Sequence, residues 1–333
     1  MMNVFLVLAA IVTICVGNTI PSVPRDNSHY VEGESRYIWM SEDEGVPILV
    51  DLNATVDEAA LASRSGANNE YWLYTRYNPT VPQIITHNNA ASIWSSNYVA
   101  SRPLKVIAHG WTNSGNHQIN SMLAEAFLTV QDANILVVDW RTVAGLNYVS
   151  AVVGVPDVGQ HIGDFLTWLI NTAGGNWNNV HLIGYSLGAH VVGNAGRATG
   201  GLPARVTGLD PAGPLWQTNR NTLSAGDGQY VEIIHTDGLY QGIYRPIGDA
   251  DFYPNGGVSP MPGCSDSQCS HARAYQYFAA SIYYNHFVGR SCQSVIEAAK
   301  NQCQGSVLNM GNGILTKRGS GLYGLSTGES WPF

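Results

Sequence analysis

From Tyr71 onward, short apolar runs alternate with longer stretches in which apolar positions return every three or four residues. The runs Tyr71–Tyr77, Lys105–His109, Ile135–Trp140, Val180–Tyr185, Val206–Leu209 and Val231–His235 are rich in Val, Ile and Leu, and several are apolar without alternation. Continuous apolar runs predict strands covered on both faces. The stretches Ile119–Val130, Val158–Thr172 and Leu187–Arg197 carry helical spacing. Strand and helix in alternation predict an α/β chain built on a mostly parallel, doubly wound sheet.

The N-terminal part reads differently. Met1 to Gly17 is an apolar run too short to span a bilayer and long enough for a secretory signal peptide, so the protein is expected to be secreted. No other segment is apolar and long enough for a transmembrane helix. Residues 18–70 are more polar and read as an N-terminal extension, open to processing after Arg25 or Arg36, ahead of one catalytic domain spanning residues 71–333. The extension holds the sequon Asn53-Ala54-Thr55.

Composition narrows the partners. Lys and Arg number 16 against 24 Asp and Glu, a net charge of −8, which disfavours nucleic acid and gains nothing from an anionic membrane. If Cys15 leaves with the signal peptide, Cys264, Cys269, Cys292 and Cys303 remain, an even set that suits two disulfides in an oxidising compartment. The local pairing Cys264–Cys269 and Cys292–Cys303 closes the shortest loops, with the other pairings open. The absence of a Cys-x-x-Cys pair argues against zinc.

The chemistry concentrates at Gly184-Tyr185-Ser186-Leu187-Gly188, which follows an apolar strand and opens a helix of small residues. That context is the nucleophile elbow of α/β-hydrolases, in which flanking glycines relieve crowding around a serine on a sharp turn. A second Gly-x-Ser-x-Gly match, centred on Ser326, has no room for a following helix and reads as a terminal strand or turn. His109-Gly110-Trp111 follows an early strand and makes the Trp111 and Leu187 amides candidates for an oxyanion hole. The order Ser, acid, His leaves Asp210 as the candidate acid, with Asp237 and Asp251 as rivals, and excludes Asp139. His235, His271 and His286 follow Ser186. His235 closes a strand and His286 sits in an aromatic segment typical of a core helix, so His271, on a Gly- and Ser-rich loop pinned by Cys269, is the candidate base.

Together these residues resemble the pancreatic lipase family, and most closely its insect neutral lipases. HGW at His109, DWR at Asp139, GYSLGAH ending at His190, GLDPAGP from Gly208, HTD at His235, FYPNGG from Phe252, PGC ending at Cys264 and CSHAR from Cys269 stand in family order. The resemblance implies an α/β-hydrolase fold, a catalytic triad of Ser186, Asp210 and His271, oxyanion donors at Trp111 and Leu187, Tyr148 at the acyl site, a Cys292–Cys303 disulfide, and lipid esters as substrate. Three departures shape the expectation further. No C-terminal β-sandwich domain follows the catalytic domain, so colipase is not expected as a partner. The stretch Leu223–Asp227 keeps one carboxylate where the family binds calcium, so no metal and no cofactor are expected. The lid between Cys264 and Cys269 shrinks to Ser265–Gln268, which points to a phospholipase A1-like enzyme, with a triacylglycerol lipase as the alternative. A lipid carrier or yolk-type storage protein is the reading from another class, opposed by the intact Ser186, Asp210 and His271.

Overall fold

The computed structural model describes residues 23–40 and 47–333; the signal peptide expected at Met1–Gly17, with Cys15, lies outside the described residues. Strands β1 (Tyr37–Met40) and β2 (Ile48–Asp51) pair as an antiparallel hairpin of their own. The main sheet comprises β3 (Glu70–Tyr74), β4 (Gln83–Ile85), β5 (Leu104–Ala108), β6 (Asn134–Asp139), β7 (Val180–Tyr185), β8 (Arg205–Leu209), β9 (Val231–Ile234), β10 (Ala250–Pro254), β11 (Val288–Cys292), β12 (Val307–Asn309) and β13 (Gly321–Leu325). Their spatial order is β12-β11-β13-β10-β9-β8-β7-β5-β6-β3-β4. Neighbours from β6 to β13 pair in parallel, whereas β3 and β4 at one edge and β11 and β12 at the other pair antiparallel.

Successive side chains of a strand face opposite sides of the sheet, so a strand covered on both sides is apolar throughout. Val106 and Ala108 of β5, Leu136 and Val138 of β6 and Leu182 of β7 enter one core cluster. Ile107, Ile135, Val137 and Ile183, between them in sequence, enter the other. Four helices supply the covers: α1 (Gln118–Val130), α2 (Tyr148–Ala173), α3 (Leu187–Ala198) and α4 (Ser267–Tyr284). Phe127 of α1 and Phe278 of α4 pack on one face, Phe165 of α2 and Val191 of α3 on the other. This is the expected α/β-hydrolase fold.

Helix α2 begins ten residues before the helical spacing predicted at Val158, at Tyr148, where the Asn147 side chain accepts the Ser150 N–H at 2.9 Å. Gly154 and Pro156 obscure this in the sequence, yet the helix runs through both. A Cβ at Gly154 would lie 2.5 Å from Val143 Cγ1, so packing, not turn formation, requires the glycine. Gly159 and Gly163 play the same part against α3, where added Cβ atoms would stand 2.5 Å from Asn194 Cβ and 2.7 Å from Ala198 Cβ. Close packing on α2 thus fixes α3, the helix that follows Ser186.

The described part of the N-terminal extension is packed against this body. Asn27 brackets β1, donating to the Trp39 carbonyl and accepting the Trp39 N–H, both at 2.8 Å. Tyr30, Ile38, Met40, Val50 and Leu52 belong to the same buried cluster as Trp111 and Tyr148. Farther along, Asp57 N–H donates to Ser150 Oγ at 2.8 Å and Gly66 N–H to Asp157 Oδ2 at 2.7 Å. Among the described residues no helix is long and apolar enough to cross a membrane.

Candidate active site

Ser186 lies between β7 and α3 with φ 56° and ψ −125°, a left-handed backbone that a non-glycine residue adopts only where its surroundings enforce it. The enforcement comes from both flanking glycines. A Cβ on Gly184 would stand 2.1 Å from the Gly188 carbonyl oxygen, and one on Gly188 would stand 2.3 Å from the His109 carbonyl oxygen. Only glycines let the strand, the helix start and the His109 loop meet here. The Ser186 N–H donates to the Leu209 carbonyl at 3.1 Å, and the Ala212 N–H donates to the Ser186 carbonyl at 3.2 Å, which ties this turn to the loop bearing Asp210.

Asp210 follows β8 directly, buried and with φ 40°. Its Oδ1 accepts the N–H groups of Thr236 at 2.7 Å and Asp237 at 3.1 Å, and its Oδ2 lies 2.6 Å from His271 Nδ1. A carboxylate only accepts, so Nδ1 carries the proton of this contact, leaving Nε2 as the ring nitrogen not engaged by Asp210. Contrary to expectation, His271 stands in the first turns of α4, not on a loop. That helix starts at the Asp266 side chain, which accepts the Cys269 N–H at 2.8 Å, and the Cys264–Cys269 disulfide fastens the same turn. Serines and cysteines mask the helix in the sequence because its apolar face appears only from Ala274 onward. The Tyr185 ring packs at 4.7 Å against the His271 ring and limits its travel.

The rival residues are engaged elsewhere. His235 lies between the Ile243 carbonyl and Asp251, at 2.7 and 2.9 Å. His286 is not in a core helix: α4 ends at Tyr284 with Asn285 in a left-handed cap, and His286 is exposed. Asp237 accepts the Ser267 hydroxyl at 2.6 Å and the Gln241 N–H at 3.1 Å, and Gln241 Nε2 donates back to Ser267 Oγ at 2.9 Å. Burial, and next the charge of Asp210, push the Asp237 carboxyl well above its ordinary pKa. Ser326 directly follows β13 and accepts a hydrogen bond from Asn301 at 2.6 Å.

A cavity of about 740 Å³ opens on this arrangement, lined by Gly110, Trp111, Ser186, Gln241 and His271 among others. Gly110, the residue before Trp111, passes so near Ser186 that an added Cβ would be 3.2 Å from Ser186 Cβ. Leu187 is the first residue of α3, and its N–H is among those a helix leaves without an intrahelical acceptor. Tyr148 is buried behind the cavity, its ring edge-on to Trp111 at 5.3 Å and its hydroxyl donating to the Pro214 carbonyl at 2.9 Å. Met40 and Pro47 also line the cavity, a position that nothing in the sequence signalled.

Residues 48–333 match the family described as Lipase. The chain belongs to the lipase family. Among its lipase-family relatives, the pancreatic triacylglycerol lipase of Myocastor coypus is 36% identical over 269 residues, covering 72% of this chain and 58% of that protein. The human pancreatic triacylglycerol lipase is 33% identical over 269 residues, with 72% and 57% covered. Pancreatic lipase-related protein 2 of Cavia porcellus is 35% identical over 246 residues, with 71% and 56% covered. The chain spans little more than half the length of these relatives.

At Leu223–Asp227, where the resemblance implies a calcium site, the residues present do not fit the ion. The Asp227 carboxylate is held on both oxygens by Arg197, at 3.0 and 2.9 Å, and also accepts the Ser224 N–H at 2.9 Å. A guanidinium already fills the place that a hard divalent cation would need. Among the described residues, Asp210, Asp237 and His271 could offer ligand atoms within 4.8 Å of one another. Their N–H donors and the His271–Asp210 hydrogen bond are arranged for a carboxylate anion and an imidazole, not for a metal. Both cysteine pairs form disulfides, Cys264–Cys269 and Cys292–Cys303.

Proposed function

We propose that this lipase-family chain is a serine carboxylic ester hydrolase acting on glycerolipids through Ser186, His271 and Asp210. The observation that carries the reading is the buried His271 Nδ1–Asp210 contact beside a strained Ser186 in one cavity. His271 Nε2 takes the Ser186 proton as Oγ attacks the ester carbonyl. The amides of Trp111 and Leu187 hold the oxyanion as the tetrahedral intermediate forms. Collapse expels the alcohol, protonated by His271, and leaves an acyl-enzyme that water opens by the same steps. Asp210, fixed by two backbone donors, keeps the imidazole in the useful tautomer.

The short Cys264–Cys269 loop supports a phospholipase A1-like preference for the sn-1 ester of polar glycerolipids, with Tyr148 backing the acyl site through Trp111. The apolar leader in the sequence and the two disulfides support secretion. The test combines labelling by a fluorophosphonate with product analysis on triacylglycerol, phospholipid and galactolipid supplied separately. Ser186→Ala is expected to abolish labelling and to lower turnover by a factor on the order of 10⁶. Ser326→Ala is expected to change neither. Labelling that survives in Ser186→Ala refutes the nucleophile.

A further inference from the structure

We infer that the N-terminal β1–β2 hairpin is a wall of the substrate cavity, and that Met40 and Pro47 select the acyl chain. The inference rests on the hydrolase reading above. Met40, the last residue of β1, is buried and lines the cavity together with Pro47, just before β2. Both stand on the same cavity as Ser186 and His271, although the sequence separates Met40 from the nucleophile by the whole first half of the sheet.

The chemistry of the lining assigns the occupant. Gln241, Asp266 and Gln268, from the loop after β9 and the start of α4, and Asn113, Asn116 and Gln118, after Trp111, give the cavity polar lining, whereas Met40 and Pro47 are apolar. Met40 shares a buried apolar cluster with Trp111, whose amide is the proposed oxyanion donor. With the ester carbonyl held there, acyl chain and alcohol leave the carbonyl carbon in different directions. The chain is stabilised by apolar contact, and the hydrated headgroup by polar lining. A thioether and a proline ring suit an alkyl chain, and methionine adapts to chains of varied shape.

The hairpin is built to hold this wall in place. Asn27 pins Trp39, the residue before Met40, through both of its side-chain polar groups. Arg36 and Asp51 form an ion pair at 2.7 Å across the open end of the hairpin. Trimming after Arg25 or Arg36 leaves Met40 and Pro47 on the chain, while the cut after Arg36 also removes Asn27.

The experiment measures kcat/KM for the palmitate and butyrate esters of p-nitrophenol in the full chain and in two variants. Met40→Ala is expected to lower the palmitate-to-butyrate ratio by about tenfold, the scale of a lost apolar contact in a substrate pocket. Pro47→Asp, at a half-buried position, is expected to lower it at least as far by placing a carboxylate beside the chain. If Met40→Ala does not fold, as judged by thermal unfolding, the Pro47→Asp ratio decides. Folded variants whose ratio stays within about twofold of the parent overturn the inference. Failure of the underlying hydrolase reading is separate: the parent protein would then neither cleave butyrate nor react with a fluorophosphonate.

Discussion

His109 Nδ1 donates to the Gly110 carbonyl at 2.9 Å, and that carbonyl belongs to the same peptide group as the Trp111 N–H. A trans peptide is planar, so fixing its oxygen fixes the opposite direction of its hydrogen. The donor assignment follows from the carbonyl, which can only accept; the other ring nitrogen, Nε2, lies 3.2 Å from the Trp140 N–H and 3.4 Å from Asp139 Oδ1. The buried His109 thus aims the proposed oxyanion donor without touching substrate.

His109→Phe keeps a ring against Trp140 but loses the donor. It is expected to lower kcat on a short-chain ester by about 10- to 100-fold with KM little changed, a smaller loss than deletion of an oxyanion donor. A loss confined to KM would show that His109 shapes binding and does not position the amide.

Gly242 bears on the acid in a comparable way. A Cβ there would lie 2.5 Å from both oxygens of Asp210, so any side chain displaces the carboxylate from His271. Gly242→Ala is expected to cost about a hundredfold in kcat, as small misplacements of catalytic groups do. Slower fluorophosphonate labelling of Ser186 should accompany it. Unaltered labelling would mean that the loop relaxes and the pair survives.

The central sheet and the strained turn at Ser186 were readable because their signals are local. Val180–Tyr185 is buried at every position and is the strand that the apolar run predicts, and the glycines beside Ser186 answer to contacts within the motif itself. Gly242 was not readable, since what it avoids is a carboxylate 32 positions earlier in the chain. The β1–β2 hairpin escaped because four-residue strands carry little periodicity and one is pinned by the distant Asn27. Helix α4 was hidden at its N-terminus, where Asp266 caps, Cys269 bridges, and Ser267 and Ser270 hydrogen-bond in place of apolar packing.

Asp237 gives a prediction about pH. Its folded pKa is raised by burial and by Asp210, so above the unfolded carboxyl value of about 4 the native state holds a proton that the unfolded chain has released. Stability therefore falls as pH rises through the window from about 4 to the raised folded value. Asp237→Asn keeps an acceptor for Ser267 and removes the titration. Its unfolding midpoint relative to the parent is expected to rise steadily with pH from about 4 upward. A difference independent of pH would show that Asp237 ionises alike in both states. Asp210→Asn, by contrast, is expected to lower kcat by about 10⁴ through loss of tautomer control.

The last prediction concerns the lipid surface. A lipase whose site is covered by a flap responds sharply when substrate exceeds its solubility, because the interface opens the flap. Here the cysteines that would bound such a flap are 5 positions apart, and the residues between them already form the cap and first turn of α4. Asp266 accepts the Cys269 N–H, and Ser267 is buried against Asp237, so the segment is committed to holding the helix that carries His271. It has neither the length nor the freedom to cover and uncover Ser186. Hydrolysis of a short-chain ester followed across its solubility limit is therefore expected to rise smoothly with concentration, with turnover already substantial in the dissolved range. The variant Cys264→Ser/Cys269→Ser should lower stability by about 2–3 kcal/mol, as a short-loop disulfide does, and leave the smooth profile in place. A sharp increase in rate at the solubility limit in the parent protein would mean that another element covers the cavity in water, and the short-lid reading of this chain would fall.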